Sequence, residues 1–329
     1  MGNATQRELD GGTGRTFRHH HAWCWNVAPV IVPTGEFYDE IQLDGTYLSG
    51  GWFLLTAIDG ASGDVLGIQW TDTEKYASWK ALLDRLPPPR VVVIDGGQGL
   101  ASALKACWPE ARVQRCLVHV LRNIRRETTL RPRTDAGKAL LRLGRALVKV
   151  ETIEQADAWL AALNAWFSHY GHLTELKTYA SEKGVVRPNE VRASMDWWWT
   201  HLRLRRGYKL LRQLARKGHL FTFLDPEFAD LNLNRTTNRI EGGINAPLKD
   251  LLRRHRGMTS AHQRRAVEWW CYLRSPYPAE PTSLIRPEHW QPSHKKIIVN
   301  NEIPGDWGTE PTAEEGLWLR KGWAGRTTT

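Results

Sequence analysis

Val91-Val92-Val93-Ile94-Asp95-Gly96-Gly97 is the stretch on which the fold turns. Four consecutive apolar residues, all β-branched, form a run too short for a buried helix and suited to a strand covered on both faces. The run breaks at an acid followed by two glycines, so the chain leaves the sheet at Asp95. Upstream, Phe37 to Leu43 reads as a strand ending at Asp44, and Trp52 to Ile58 as a second. The turn Asp59-Gly60-Ala61-Ser62-Gly63 then leads into a third, Val65 to Trp70. Between these strands and Val91, Tyr76, Trp79, Leu82, Leu83 and Leu86 fall at helical spacing, and the prolines at 87–89 end that helix. Downstream come a helix from Leu100 to Cys107, a strand from Arg112 to Cys116 and a helix from Val118 to Arg126. Three strands, helix, strand, helix, strand, helix is the order of an α/β layer architecture with a mixed sheet.

After Arg131 the strand signal disappears. Residues 135–217 read as three or four amphipathic helices, among them Ala136 to Val150 and Ile153 to Tyr170. Asp225-Pro226 and the Asn-rich stretch 232–238 form a loop. Helices resume from Arg239 to Arg254 and from Ser260 to Arg274. Residues 1–37 carry no strong period, and from Ser275 proline, glycine and threonine predict a surface-hugging or partly disordered tail.

Composition narrows the class. The 329 residues are 41% hydrophobic and 24% charged, as in an ordinary globular protein. No apolar run approaches the roughly 20 residues that span a bilayer, and Met1 to Asp10 is too polar for a signal peptide. Gln6 stands where myristoylation wants Ser or Thr. The expectation is a soluble, cytoplasmic protein with no membrane partner. Cys24, Cys107, Cys116 and Cys271 are scattered without a Cys-x-x-Cys pair, against a disulfide framework or zinc ribbon. A formal net charge of +10 suits a polyanionic partner, because neutralised phosphates release condensed counterions.

Two acids, Asp44 and Asp95, follow predicted strands directly. Sites in open α/β sheets form at the carboxyl ends of strands. Neighbouring carboxylates repel unless a cation lies between them, and Mg²⁺ favours such oxygen ligands. A pair of ions can activate an attacking oxygen and stabilise a leaving one. The third carboxylate such a site needs is Glu241, at the start of the helix after Thr236-Thr237-Asn238-Arg239-Ile240. Lys249, Arg253, Arg254 and Arg256 beyond it could hold phosphates. Taken singly, each Asp is more often just a turn residue and Glu241 a helix-capping or surface acid. Trp197-Trp198-Trp199, followed by His201, Arg203, Arg205, Arg206, Lys209 and Arg212, could stack Trp198 on bases and hold backbone with Arg203, Arg205, Arg206 and Lys209. The plainer reading makes the tryptophans helix-packing core residues beside a solvated basic face. His19-His20-His21 with Cys24 reads as a basic connector.

Four strings carry a family resemblance: Leu43-Asp44-Gly45-Thr46-Tyr47, Val93-Ile94-Asp95-Gly96-Gly97, Gln114-Arg115-Cys116-Leu117-Val118-His119-Val120-Leu121-Arg122-Asn123 and Thr237-Asn238-Arg239-Ile240-Glu241-Gly242. Together, over residues 37–275, they resemble the Mutator-type transposases of bacterial insertion sequences. The resemblance implies an RNase H-like fold with an Asp-Asp-Glu triad and a helical insertion before the Glu. Asp44, Asp95 and Glu241 would then be catalytic and bind two Mg²⁺ ions, with Mn²⁺ as a substitute. Cys116, His119 and Asn238 belong to the motif without a settled role. A structural role for Cys116 and His119 is the simpler reading, since a zinc site needs about four ligands and no second pair is at hand.

The implied organisation is an N-terminal DNA-end-binding remnant or connector at 1–36, an RNase H-like part at 37–130 and a helical insertion at 131–225. A last RNase H-like part with Glu241 spans 226–274, and a tail spans 275–329. The expected activity is cleavage and strand transfer of double-stranded DNA, acting on the element's terminal repeats and target DNA. The protein would act as a homo-oligomer near the bacterial nucleoid. Two rivals stand beside it: a truncated, non-catalytic DNA-binding derivative, and an RNase H-fold nuclease that cuts without joining.

Overall fold

The computed structural model describes residues 14–48 and 51–290. It opens with helix α1 (Arg15–His20) and a 3₁₀ turn, Ala22–Trp25. Strands β1 (Glu40–Tyr47), β2 (Phe53–Asp59) and β3 (Val65–Thr71) follow, then α2 (Tyr76–Leu83), β4 (Val91–Ile94), α3 (Gln98–Cys107), β5 (Arg112–Arg115) and α4 (Leu117–Thr128). These strands form one sheet in the order β3-β2-β1-β4-β5. β1, β2 and β3 are antiparallel neighbours, whereas β4 runs parallel to both β1 and β5. This mixed sheet is RNase H-like, as expected.

β4 sits next to the centre of the sheet and all four of its residues are buried, which explains its unbroken apolar run. β1 alternates instead. Ile41 and Leu43 join Leu55, Val92 and Ile94 beneath α2 and α3, where Trp79, Leu82, Leu83, Leu100 and Leu104 complete one core. The opposite face of β1 carries Gln42, Asp44 and Thr46, all buried polar residues.

That opposite face is covered by a helical rod. A turn, Asn238–Ile240, runs into a π-helical turn, Glu241–Asn245, and then into α8 (Ala246–Arg254, with the helices between α4 and it numbered below). Ile240, Ile244, Leu248 and Leu251 recur every three or four residues, and pack with Leu54, Ile58 and Val65 and with Val267 and Trp270 of α9 (Ser260–Tyr272). On α9, Trp269 meets Trp23 edge-on at 5.8 Å and donates its indole N–H to the Cys24 carbonyl at 2.7 Å. The amino-terminal segment is thereby docked on the last helix.

Between α4 and the rod lie α5 (Asp135–Leu147), α6 (Ile153–Glu175) and α7 (Leu202–Arg216). With the apolar side of α4 they enclose a separate core around Ile124, Leu140, Trp159, Trp166, Tyr208 and Leu211.

Two expectations need correction. β1 does not end at Asp44: Gly45, Thr46 and Tyr47 continue the ladder against Leu55, Leu54 and Phe53, so the antiparallel partner prolongs the strand beyond its parallel one. Strand structure also returns after Arg131. β6 (Lys177–Tyr179) pairs with β7 (Trp197–Trp199) in an antiparallel hairpin, so the tryptophans lie on a strand and not in a helix. Three adjacent aromatic residues favour extended backbone, and basic side chains cover their rings. Lys177 Nζ lies 4.0 Å from the Trp197 centroid, and the Arg205 guanidinium 3.6 Å from that of Trp199. Only residues 275–290 of the expected tail fall within the described residues, and they include two short 3₁₀ turns, Pro281–Leu284 and Pro287–Trp290. No helix among the described residues is long and apolar enough to cross a membrane.

Candidate active site

The register of β1 and β4 sets the site. Their last paired residues are Leu43 and Ile94, so Asp44 and Asp95 come next on adjacent strands, whose usual spacing is about 4.8 Å. Asp44 is 6% exposed and turns towards the rod, where the Asn245 amide donates to its Oδ2 at 2.8 Å. Burial pushes its carboxyl up to about 6; the charges of Asp95 and Glu241 push in the same direction, opposed by His119 and the Gly45 amide.

Asp95 is held by its own turn, in which the Gly97 amide donates to Asp95 Oδ1 at 3.2 Å. Gly96 has φ +103°, and the Arg115 guanidinium, bonded to the Asp95 carbonyl, fills the space that a Cβ at Gly96 would need. Only glycine satisfies both demands.

Glu241 arrives from the rod. Arg122 of α4 grips it with two hydrogen bonds, at 3.1 and 2.8 Å, and His119 Nε2 lies 3.5 Å from its Oε1. The π turn begins at Glu241, and such turns add a residue to a helix locally and often accompany functional sites. Within it, Glu241 faces α4 while Asn245 reaches Asp44. Asn238 is exposed at the start of the rod.

Cys116 and His119 fasten this junction. The Cys116 amide donates to the Ile94 carbonyl at 2.8 Å, and its buried Sγ accepts from the Thr237 amide at 3.3 Å. One residue thus ties the end of β4 to the start of the rod. Burial alone would raise the Cys116 thiol, but hydrogen bonds from His119 and Thr237 outweigh it and bring it below its usual value. The contact with Cys116 raises His119 despite burial. Donor atoms of Cys116, His119 and Glu241 lie within 4.8 Å of one another. That is three donors, where a zinc site wants four.

A fourth carboxylate escaped the reading of the sequence. Glu74, just before α2, accepts from the Trp79 indole at 3.1 Å, and a Cβ on Gly97 would collide with its carboxyl group. Burial pushes it up to about 7, with further contributions from the charges of Asp95 and Asp44. A second anchor was also missed. Buried Glu40 accepts both the backbone and side-chain N–H groups of Asn234, securing the loop that leads to Thr237. In the sequence both acids look like ordinary residues at element ends.

The basic residues separate into those engaged by acids or rings and those without a carboxylate partner among the described residues. Arg205 is tied to Glu175 at 2.7 Å and to Trp199, and Arg253 and Arg254 both pair with Asp250. Trp198 is buried, with the Arg187 guanidinium 5.4 Å from its ring centroid, and so offers no open face of the kind that base stacking requires. Arg203, Arg206, Lys209, Lys249 and Arg256 remain exposed.

Asp44 and Asp95 offer carboxylate oxygens from neighbouring strands, with the Asp44 carboxyl raised first by burial and then by the charges of Asp95 and Glu241, and such oxygens suit a hard divalent cation. Among the described residues the three donors that lie within 4.8 Å of one another are those of Cys116, His119 and Glu241, with Glu241 gripped by Arg122. The mixed sheet thus carries Asp44 and Asp95 on neighbouring strands, and Glu241 lies on the rod that covers it. Residues 54–186 match the family model described as Transposase, Mutator family. The chain is 32% identical over 177 residues to the transposase for insertion sequence element IS905 of Lactococcus lactis, covering 46% of this chain and 44% of that one. It is 31% identical over 144 residues to that of ISRM5 of Rhizobium meliloti, covering 42% and 35%. With the IS1201 transposase of Lactobacillus helveticus it shares 25% over 219 residues, 58% of each. The catalytic core domain of BIV integrase aligns at 17% identity and TM-score 0.20, over 40% of this chain and 82% of that one. Over residues 54–186 the chain is thus similar to Mutator-family transposases. It spans 35% to 58% of the length of these relatives.

Proposed function

We propose that the chain carries the catalytic core of an insertion-sequence DNA transposase, with Asp44, Asp95 and Glu241 as the residues that hold two Mg²⁺ ions. The observation that supports this reading is the placement of Asp44 and Asp95 side by side after the last paired residues of β1 and β4, with a buried Asp44 that also feels the charge of Glu241. When bound, the ions would activate the attacking oxygen and offset charge on the leaving one.

The chain's own residues keep the carboxylates in place. Asn245 fixes one oxygen of Asp44, the Gly97 amide orients Asp95, and the Cys116–Thr237 contact sets the rod against β4. Arg122 and His119 hold Glu241 against α4. Water attacks a phosphodiester at the element's end, breaking its P–O bond and freeing a 3′-hydroxyl. That hydroxyl then attacks a target phosphodiester, expelling a second 3′-oxygen. No side chain becomes covalently attached. An element has two ends, so a homo-oligomer on double-stranded DNA is part of the proposal.

A joining assay separates this from a plain nuclease. A labelled duplex carrying the native element end, incubated with Mg²⁺ and a supercoiled plasmid, should give both a nicked end and label covalently joined to plasmid. Nicking without joining would favour the nuclease; neither product, with duplex binding intact, would favour a non-catalytic DNA-binding derivative.

A further inference from the structure

Where α4 ends, the insertion opens into a cleft of about 1220 Å³. Its walls are the end of α4, the loop 129–134, the segment 188–191, β7 and the first turn of α7. Five exposed arginines line it: Arg126, Arg131, Arg133, Arg203 and Arg206. Against them stand only Glu127 and Glu190, and Glu127 reaches Arg126 at 3.9 Å. Arg131, Arg133, Arg203 and Arg206 have no carboxylate partner among the described residues. Elsewhere the arginines around the sheet are largely matched, Arg112 by Asp225, Arg235 by Glu151 and Arg265 by Glu268. The cleft is thus a concentration of uncompensated positive charge.

This arrangement has a local cost. Arg203 and Arg206 occupy the first two turns of α7, at the positive end of its dipole, where cations are disfavoured. No acid stands in that first turn, and the His201 side chain makes no capping hydrogen bond. Arg203 instead reaches across to the Arg126 carbonyl and joins the two walls. Sequences that break a local rule without internal compensation tend to do so at functional sites. An anion in the cleft would offset both the crowded charge and the dipole.

Position identifies the anion. Arg122, which grips Glu241, and Arg126, on the cleft wall, are four residues apart on α4 and therefore share a face. The separation along the axis is about 6 Å. The cleft thus begins about one helical turn along α4 from the arginine that holds Glu241. We propose that this arginine-lined cleft binds the sugar-phosphate backbone of duplex DNA flanking the scissile bond, with Arg131, Arg133 and Arg206 as phosphate contacts. The assignment rests on the transposase reading above for the identity of the polyanion. It moves the contact surface away from Trp198, Arg205 and Lys209, which are buried, engaged or outside the cleft.

The test is the salt dependence of full-chain binding to a short labelled duplex without metal, between about 50 and 200 mM salt. The triple variant Arg131→Gln, Arg133→Gln, Arg206→Gln should flatten the slope of log K against log salt by about 2.7, or 0.9 for each lost contact. A control triple, Arg142→Gln, Arg145→Gln, Arg216→Gln, removes exposed charge from the same helical region outside the cleft and should leave the slope near wild type. Equal flattening in both triples, or none in the first, overturns the proposal, as does tighter binding of an RNA hairpin than of duplex DNA. The two readings fail separately. A wild type that binds but never nicks, while the cleft triple still loses slope, removes the transposase reading and keeps the cleft. A cleft triple that binds and nicks like wild type removes the cleft and keeps the enzyme.

Discussion

Asp44 concentrates the chemistry at the scale of the residue. It is buried, its neighbours are acids, and its carboxyl stands near 6 instead of the usual value close to 4. A proton therefore binds more tightly in the folded chain than in the unfolded one. The stabilisation this gives is fully present below the unfolded value and is lost as pH rises through about 6. Glu74 adds the same trend, lost through about 7. Asp44→Asn keeps an oxygen for the Asn245 amide and removes the charge. It should stabilise the metal-free protein at pH 8 by on the order of 2 kcal/mol and have little effect near pH 4. Thermal melts in EDTA at both pH values check this, and an equal change at both would refute the pH-linked repulsion. Mg²⁺ should raise the melting temperature of wild type at pH 8 and leave the variant unmoved. Asp44 and Asp95 were visible in the sequence because each breaks a strand pattern at its carboxyl side. Glu74 was not, because an acid near a helix start is commonly favoured by the helix dipole alone, and only the fold brings it over Gly97.

The π turn is the decisive device at the scale of the element. An α-helix from Asn238 to Arg254 would satisfy the apolar spacing equally well, which is why the sequence reads as one uninterrupted helix. The extra residue lets Glu241 face Arg122 while Asn245, four positions on, still reaches Asp44. Deleting Gly243 should restore ordinary α-helical register. Ile244, Leu248 and Leu251 can follow into the same core, so the fold should persist by circular dichroism. Metal-dependent nicking should fall by at least about 100-fold, as a misplacement of roughly 1 Å can cost that much. Full activity in this deletion would show that the π turn positions nothing. Strand and helix order was legible because burial imposes periods of 2 and 3.6 on the sequence. The β6–β7 hairpin was not, because three-residue strands are too short to carry a period, and their tryptophans are covered by Lys177, Arg187 and Arg205 from elsewhere.

At the scale of the whole molecule, the sheet, packed on both faces, and the helical core flank one seam. The sheet core and the helical core meet along α4, whose apolar side belongs to the helices while Cys116, His119 and Arg122 face the carboxylates. This gives the Cys-x-x-His spacing a physical reason: it closes the joint between β4, α4 and the rod at one corner. The same helix leads from that corner to the arginine-lined cleft, so the proposed metal site and the proposed DNA contacts are set by one element. The net charge of +10 announced a polyanionic partner, but it could not say which arginines are free, since pairing depends on acids distant in sequence. The central claim is that Asp44, Asp95 and Glu241 act together as metal-binding carboxylates. Its most direct test is Mg²⁺-dependent nicking of a labelled element-end duplex by wild type and by Asp44→Asn, Asp95→Asn and Glu241→Gln. Each variant should remain folded and bind the duplex as wild type does, yet lose nicking by several orders of magnitude, because charge stabilisation is most of what such a site provides. Variants that nick as fast as wild type would contradict the assignment.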